Sequence, residues 1–135
     1  MVDLERSFLQ EKFAILLADD QKFMLKNLER YFATFFNVAT AATLEEAKIQ
    51  LQQQTIGVVV SDHQMAGGQG IALLEFIRDT YPEVRRILIT ADRHEQVVID
   101  MMRSEMAHSF VFKPTVKVQL HQALAEQSEI YLKQT

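Results

Sequence analysis

Ile56-Gly57-Val58-Val59-Val60 runs without a polar side chain into Ser61-Asp62. Four of those five residues are β-branched, and the run shows neither a helical period nor strand-like alternation. It reads as a strand buried on both faces, as strands in a parallel sheet are. The polar pair that follows then marks the carboxyl end of that strand. Three further runs have the same character: Phe13-Ala14-Ile15-Leu16-Leu17-Ala18, Ile87-Leu88-Ile89 and Phe110-Val111-Phe112. A weaker one, Phe35-Phe36-Asn37-Val38-Ala39, supplies a fifth strand.

Between these runs the apolar spacing becomes helical. Met24, Leu28 and Tyr31 form one face, and Leu44, Ala47 and Leu51 another, the latter opened by Thr43-Leu44-Glu45-Glu46 with capping-box spacing. Leu73, Leu74 and Ile77 mark a third helix, ended before Tyr81-Pro82, and Val97, Val98, Met101, Met102 and Glu105 a fourth. Val116, Leu120, Ala123, Leu124, Gln127, Ile130 and Tyr131 trace a fifth. Five βα units call for a parallel sheet covered on both faces by right-handed crossovers. Two wrappings of such an α/β sheet are common, one of them the flavodoxin-like (βα)5 doubly wound parallel sheet in three layers with strand order 2-1-3-4-5. In that order the first and third strands are neighbours, and a crevice opens at their carboxyl ends.

Composition narrows the function classes. The chain has 135 residues, enough for one core, with 48% hydrophobic and 24% charged residues, which excludes a disordered chain. Without Cys there is no disulfide, thiolate metal site or Cys nucleophile. With 14 basic against 18 acidic residues the net charge is −4, so no basic nucleic-acid footprint is present. The start, MVDLERSF, places acids where a signal peptide needs cations, and no apolar run approaches about 18 residues. A soluble cytoplasmic domain without membrane contact is expected. Residues 1–11 form an N-terminal extension whose Leu4, Phe8 and Leu9 permit a short helix. Residues 12–135 form the domain. Its last helix is overlong, so Ile130-Tyr131-Leu132 is expected to remain for a second copy or an attached output domain.

The strand ends carry the chemistry. The first strand ends in Asp19-Asp20 and the third in Ser61-Asp62, so three carboxylates are expected at the switch point. They cannot all stay ionised without a cation or a Lys, and hard oxygen ligands suit Mg²⁺. Thr90 ends the fourth strand and Lys113 the fifth, followed by Pro114, which restricts the backbone of Lys113 and admits a cis bond. Alone, each piece has a plainer reading. Asp19-Asp20 would be a helix cap, Asp62 a turn residue, Thr90 a strand end and Lys113 a surface charge. Together they fall on the one edge where α/β sheets bind ligands.

In this arrangement the sequence resembles the receiver domain of bacterial two-component response regulators over roughly residues 12–130. The matching pieces are Asp19-Asp20, Asp62, Thr90-Ala91, Phe110 three places before the Lys, and Lys113-Pro114; Met65 and Gly70 also fit. The resemblance implies the flavodoxin-like strand order 2-1-3-4-5 and a phosphoacceptor that takes a phosphoryl group onto Asp62 from a sensor histidine kinase or phosphotransfer protein. It implies Mg²⁺ held by Asp20, Asp62 and the backbone carbonyl of Gln64, with Asp19 acting mostly through water. Thr90 and Lys113 would contact the phosphoryl oxygens and, with Asp62, form the catalytic set. Thr90 and Phe110 would carry the switch to the surface of the fourth helix, fifth strand and fifth helix. No enzymatic activity beyond the domain's own phosphorylation and dephosphorylation is implied.

The chain departs from the family pattern at several places. Ala66 stands where Pro is usual, and Gly67-Gly68-Gln69-Gly70 is glycine-rich, so a flexible connection beside the acceptor is expected. Thr115 replaces a common Phe, Phe110 lacks the hydroxyl of a frequent Tyr, and Gln64 and Asp92 occupy variable positions. Two other readings compete. A Mg²⁺-dependent phosphohydrolase of similar fold would want Asp-x-Asp, but Lys22 stands two places after Asp20. A receiver-like interaction module that is never phosphorylated would not need Asp20, Asp62, Thr90 and Lys113 together. His63, His94, His108 and His121 show no paired ligand spacing and read as surface or loop residues. Met101, Met102 and Met106 are expected to pack the fourth helix, with some of them open to a partner surface, and Arg85-Arg86 to precede a strand.

Overall fold

The structure, a computed structural model, describes residues 12–91, 94–114 and 116–134. The expectations placed on residues 1–11, Asp92 and Thr115 lie outside these. The elements are β1 (Ala14–Ala18), α1 (Lys22–Phe32), β2 (Asn37–Ala41), α2 (Leu44–Gln53) and β3 (Ile56–Asp62). After a 3-10 turn (Ala66–Gly68) follow α3 (Gln69–Thr80), β4 (Arg85–Thr90), α4 (Glu95–Arg103), β5 (Ser109–Phe112) and α5 (Val116–Gln134). The strands form one parallel sheet, as the run pattern predicts, in the order β2-β1-β3-β4-β5 that the resemblance implies.

Alternation along the strands divides the core. Ile15, Leu17, Val58, Val60, Ile87, Ile89 and Val111 face α1 and α5. Ala14, Leu16, Ala18 and Val59 face α2 and α3. Leu88 packs with Leu74 and Ala107, flanked by Met101, Met106 and Phe110. Thr43 caps α2 by accepting the Glu46 N–H at 3.1 Å, while Glu46 accepts the Ala42 N–H, close to the predicted capping box.

Several boundaries and faces differ from the expectations. β2 begins two residues later, because Phe36 is buried beside Phe32 instead of extending the strand. α1 buries Leu25, Leu28 and Phe32 and leaves Met24 and Tyr31 partly exposed. Its inward stripe is therefore rotated by about one residue from the predicted one. α4 has no fully buried residue: Met101, with Met106 just beyond the helix, packs against the Leu88 cluster, while Met102 is 53% exposed, so the methionines anchor it only in part. The end of α5 is not left over either. Tyr131 is buried edge-on against Phe13 at 4.9 Å between ring centres, above Gly57, where a Cβ would strike both rings.

Arg85-Arg86 lies inside β4, and Arg86 is buried without a carboxylate partner among the described residues. Its guanidinium donates to the carbonyls of Val84 (2.8 Å), Glu105 (2.8 and 3.2 Å) and Pro82, so dipoles compensate the charge. This pins the turn after α4, where Glu105 has a positive φ of 58°. His108 is not a solvated histidine: its Nδ1 accepts the Arg86 backbone N–H at 3.0 Å, and Nε2 lies 3.2 Å from the guanidinium. Burial, reinforced by Arg86 and Arg85, pushes the His108 pKa down to about 4.

Because the unfolded chain protonates this imidazole near 6.5 and the fold does not until about 4, stability falls as pH drops through that window. The slope from this group reaches at most about 1.4 kcal/mol per pH unit. His108→Asn removes the titration and keeps a short acceptor, so urea unfolding across this pH range should show a shallower loss for the variant.

Candidate functional site

The sheet delivers its polar strand ends to one edge. β1 stops where Asp19 leaves the ladder, its N–H still bonded to the Ala41 carbonyl at 3.1 Å. The Asp19 side chain turns back to accept the Gln21 N–H at 2.9 Å. The helix-cap reading of this pair is thus replaced by an Asx turn, since Gln21 is the N-cap of α1 and makes no side-chain cap bond. Asp19 is only 5% exposed. Burial raises its pKa most, opposed by the Gln21 N–H; Asp62 pushes it further up, Lys113 draws it down and Asp20 adds a small rise.

Asp62 ends β3 and is 3% exposed. Its Oδ1 accepts the Gln64 N–H at 3.1 Å, and the Lys113 ammonium lies 3.1 Å from Oδ1 and 3.4 Å from Oδ2. Lys113 arrives from the end of β5, where its N–H bonds the Thr90 carbonyl at 3.0 Å and the Lys113–Pro114 peptide is cis. Asp20 is partly exposed, and its Oδ2 accepts the Ala66 N–H at 2.8 Å. The edge therefore gathers three carboxylates but does not close them on one point. Among the described residues no three acidic or histidine side chains form a cation cage. Asp19, Met24 and Lys113 line a small cleft at this edge together with Val116.

The loop below Asp62 is held tightly. Met65 is buried, and Gly67 and Gly68 take positive φ of 67° and 73° to turn the chain into α3. Gly70 then passes so close beneath Asp62 that a Cβ there would overlap the Asp62 carbonyl, while the Gly70 carbonyl accepts the Ser61 hydroxyl at 3.1 Å. The glycine run is thus a fitted support of the acidic strand end more than a loose connection.

Thr90 is 2% exposed, and its hydroxyl lies 2.8 Å from Nδ1 of His63. Sequence reasoning placed Thr90 at this edge but set His63 aside; only the register of β3 on β4 could have paired them. Phe110 is half-buried beneath α4 and stacks on Phe112 at 6.5 Å. Gln119 was also missed: from α5 it both accepts the Phe112 N–H (3.1 Å) and donates to the Phe112 carbonyl (3.0 Å), tying β5 to α5 just before Lys113.

Chemically, the edge offers a buried carboxylate paired to an ammonium, two further carboxylates, and a buried hydroxyl. The excess of acidic oxygen is a donor set suited to a hard divalent cation.

Comparison with known proteins gives the same fold and a family. A sequence profile of the response regulator receiver domain matches residues 15–125. The alginate biosynthesis transcriptional regulatory protein AlgB of Pseudomonas aeruginosa is 30% identical over 118 residues, 86% of this chain and 26% of that protein. The chain spans about a quarter of the length of the curated relatives it matches. A receiver domain protein of Methanospirillum hungatei superposes with a TM-score of 0.79 at 19% identity, covering 91% of this chain and 98% of that one. The response regulator TrrA of Thermotoga maritima, solved with Mg²⁺ and BeF, gives 0.73 at 22% identity, covering 85% and 98%.

Gly70→Ala and Gly67→Ala should each lower stability by on the order of 1–3 kcal/mol, the first by overlap and the second by backbone strain. Only Gly70→Ala should also shift the amide resonances of Asp62 and Gln64, since Gly67 has open space around it.

Proposed function

The chain belongs to the response regulator receiver domain family, and from that membership we propose that Asp62 accepts a phosphoryl group from a phosphohistidine on a sensor kinase or phosphotransfer protein. The observation that carries this reading is the Asp62–Lys113 pair at 3.1 Å, buried on the carboxylate side. A carboxylate oxygen of Asp62 forms the new O–P bond as the donor's N–P bond breaks. The bonding electrons leave with the imidazole of the donor. Lys113 is placed to balance charge on the phosphoryl oxygens, and Thr90 to contact one of them. Catalysis of this kind rests on position and electrostatics.

Asp20, Asp62 and the Gln64 carbonyl would hold Mg²⁺, with Asp19 acting through bound water. The ion would supply neutralisation of the phosphoryl charge. Met24 lines the cleft and Phe23 beside it is 85% exposed, a rim that suits a protein donor.

The phosphoryl group adds about −1.5 to −2 charges and three acceptors. Engaging Thr90, it would bias Phe110 and the lightly anchored α4, so the surface of α4, β5 and α5 reports the state of Asp62. Moving a population from mostly off to mostly on needs about 5.5 kcal/mol, more than one hydrogen bond supplies. Lys113, Thr90 and the packing of Phe110 must therefore act together. The relatives are longer and are named as transcriptional regulators, which supports an output carried by another segment or partner.

With Mg²⁺ and acetyl phosphate, the intact mass should rise by one phosphoryl group in the wild type and not in Asp62→Asn. Lys113→Ala should slow the gain by about 10²–10³-fold. Turnover of phosphate esters that survives Asp62→Asn would instead favour a phosphohydrolase. No mass change with a competent donor would favour an interaction module.

A further inference from the structure

We propose that His63 is a positioning residue that latches Thr90 in the unphosphorylated state, its Nδ1 accepting the Thr90 hydroxyl proton that a phosphoryl oxygen on Asp62 would otherwise take. The inference rests on the phosphoacceptor reading of Asp62 and adds a residue which that reading does not use.

Three observations place the latch. First, the contact is short, 2.8 Å, and Thr90 is 2% exposed, so water competes poorly for this hydroxyl. Second, the imidazole is held by backbone as well as by the contact. The His63 N–H bonds the Ile89 carbonyl at 2.8 Å, which continues the β3–β4 ladder one residue past Asp62 and sets His63 beside Thr90. Third, strand alternation puts Asp62 and His63 on opposite sides of the sheet. Asp62 follows the parity of Val58 and Val60, which face α1 and α5. His63 and Thr90 share the side of Leu88, Phe110 and Phe112, towards α4. His63 therefore meets Thr90 from the side on which the aromatic pair and α4 lie, while the phosphoryl group would meet it from the acidic cleft.

A threonine hydroxyl has one proton to donate. With Nδ1 as the acceptor, that proton points to His63, and bonding to the phosphoryl group requires the hydroxyl to turn away. The latch would thus oppose the active arrangement by the worth of one net hydrogen bond, about fivefold in the equilibrium. It would also set a threshold, since weak occupancy of the acidic site would leave Thr90 where it is.

The test uses the full chain and beryllium fluoride with Mg²⁺ as the phosphoryl mimic, followed by NMR of the Thr90, Phe110 and α4 resonances. Mimic binding that moves these resonances in the wild type supports the phosphoacceptor reading, and its absence overturns that reading and the latch with it. Given binding, His63→Ala should shift the unliganded resonances towards the bound positions and raise mimic affinity about fivefold. His63→Asn, which sets a carboxamide oxygen near the Nδ1 position, should restore wild-type behaviour. In the background Thr90→Val, His63→Ala should have no further effect on the resonances. The ring nitrogen shifts of His63 at alkaline pH should report Nδ1 as the unprotonated nitrogen. Unchanged or weakened mimic affinity in His63→Ala with the mimic still bound by the wild type, or a protonated Nδ1, overturns the latch and leaves the phosphoacceptor reading standing.

Discussion

A carboxylate that is only 3% exposed calls for a counter-charge fixed by the fold, and Lys113 is delivered to Asp62 from two strand positions away along the sheet edge. The pair is within 3.1 Å only if β3, β4 and β5 are in parallel register and end at the same level. The constraint then propagates. Gly70 must lack a side chain for α3 to pass beneath Asp62, Gly67 and Gly68 must turn the chain to reach that point, and Gln119 must brace β5 just before the lysine. Removing Lys113 would strand the buried Asp62 charge, which costs far more than the pair itself contributes, whereas Lys113, 30% exposed, retains access to water without Asp62.

Much of this was legible in the sequence because strand burial leaves a strong mark. Ile56–Val60 and its companions have no polar side to hide, so the parallel sheet followed, and the family resemblance selected its strand order and with it the edge that holds Asp19, Asp20, Asp62, Thr90 and Lys113. Helix phase was less legible. Met24, Leu28 and Tyr31 fit a helical spacing as well as Leu25, Leu28 and Phe32 do, and only packing against the sheet decides between them. α4 misled for a related reason: its Val and Met residues look like core, yet the helix lies too shallowly to bury any.

The least legible features were polar groups whose partners are distant in sequence. Arg86 reads as a residue ahead of a strand, but the carbonyl of Glu105, 19 residues on, closes on its guanidinium together with the nearby carbonyls of Pro82 and Val84. His63 is unremarkable until the ladder sets it beside Thr90. Neither leaves a periodic or spacing signal, because a hydrogen bond between strands depends on register, which one chain's pattern does not encode locally.

The Tyr131–Phe13 contact ties the far end of α5 to the beginning of β1. Both lie at the amino ends of the strands, so the chain enters and leaves the described domain at the pole opposite Asp62. Five strand residues at about 3.3 Å each separate the two poles by roughly 16 Å. Anything tethered beyond α5 would therefore be anchored a sheet's length from the acidic edge, at the opposite pole of the domain.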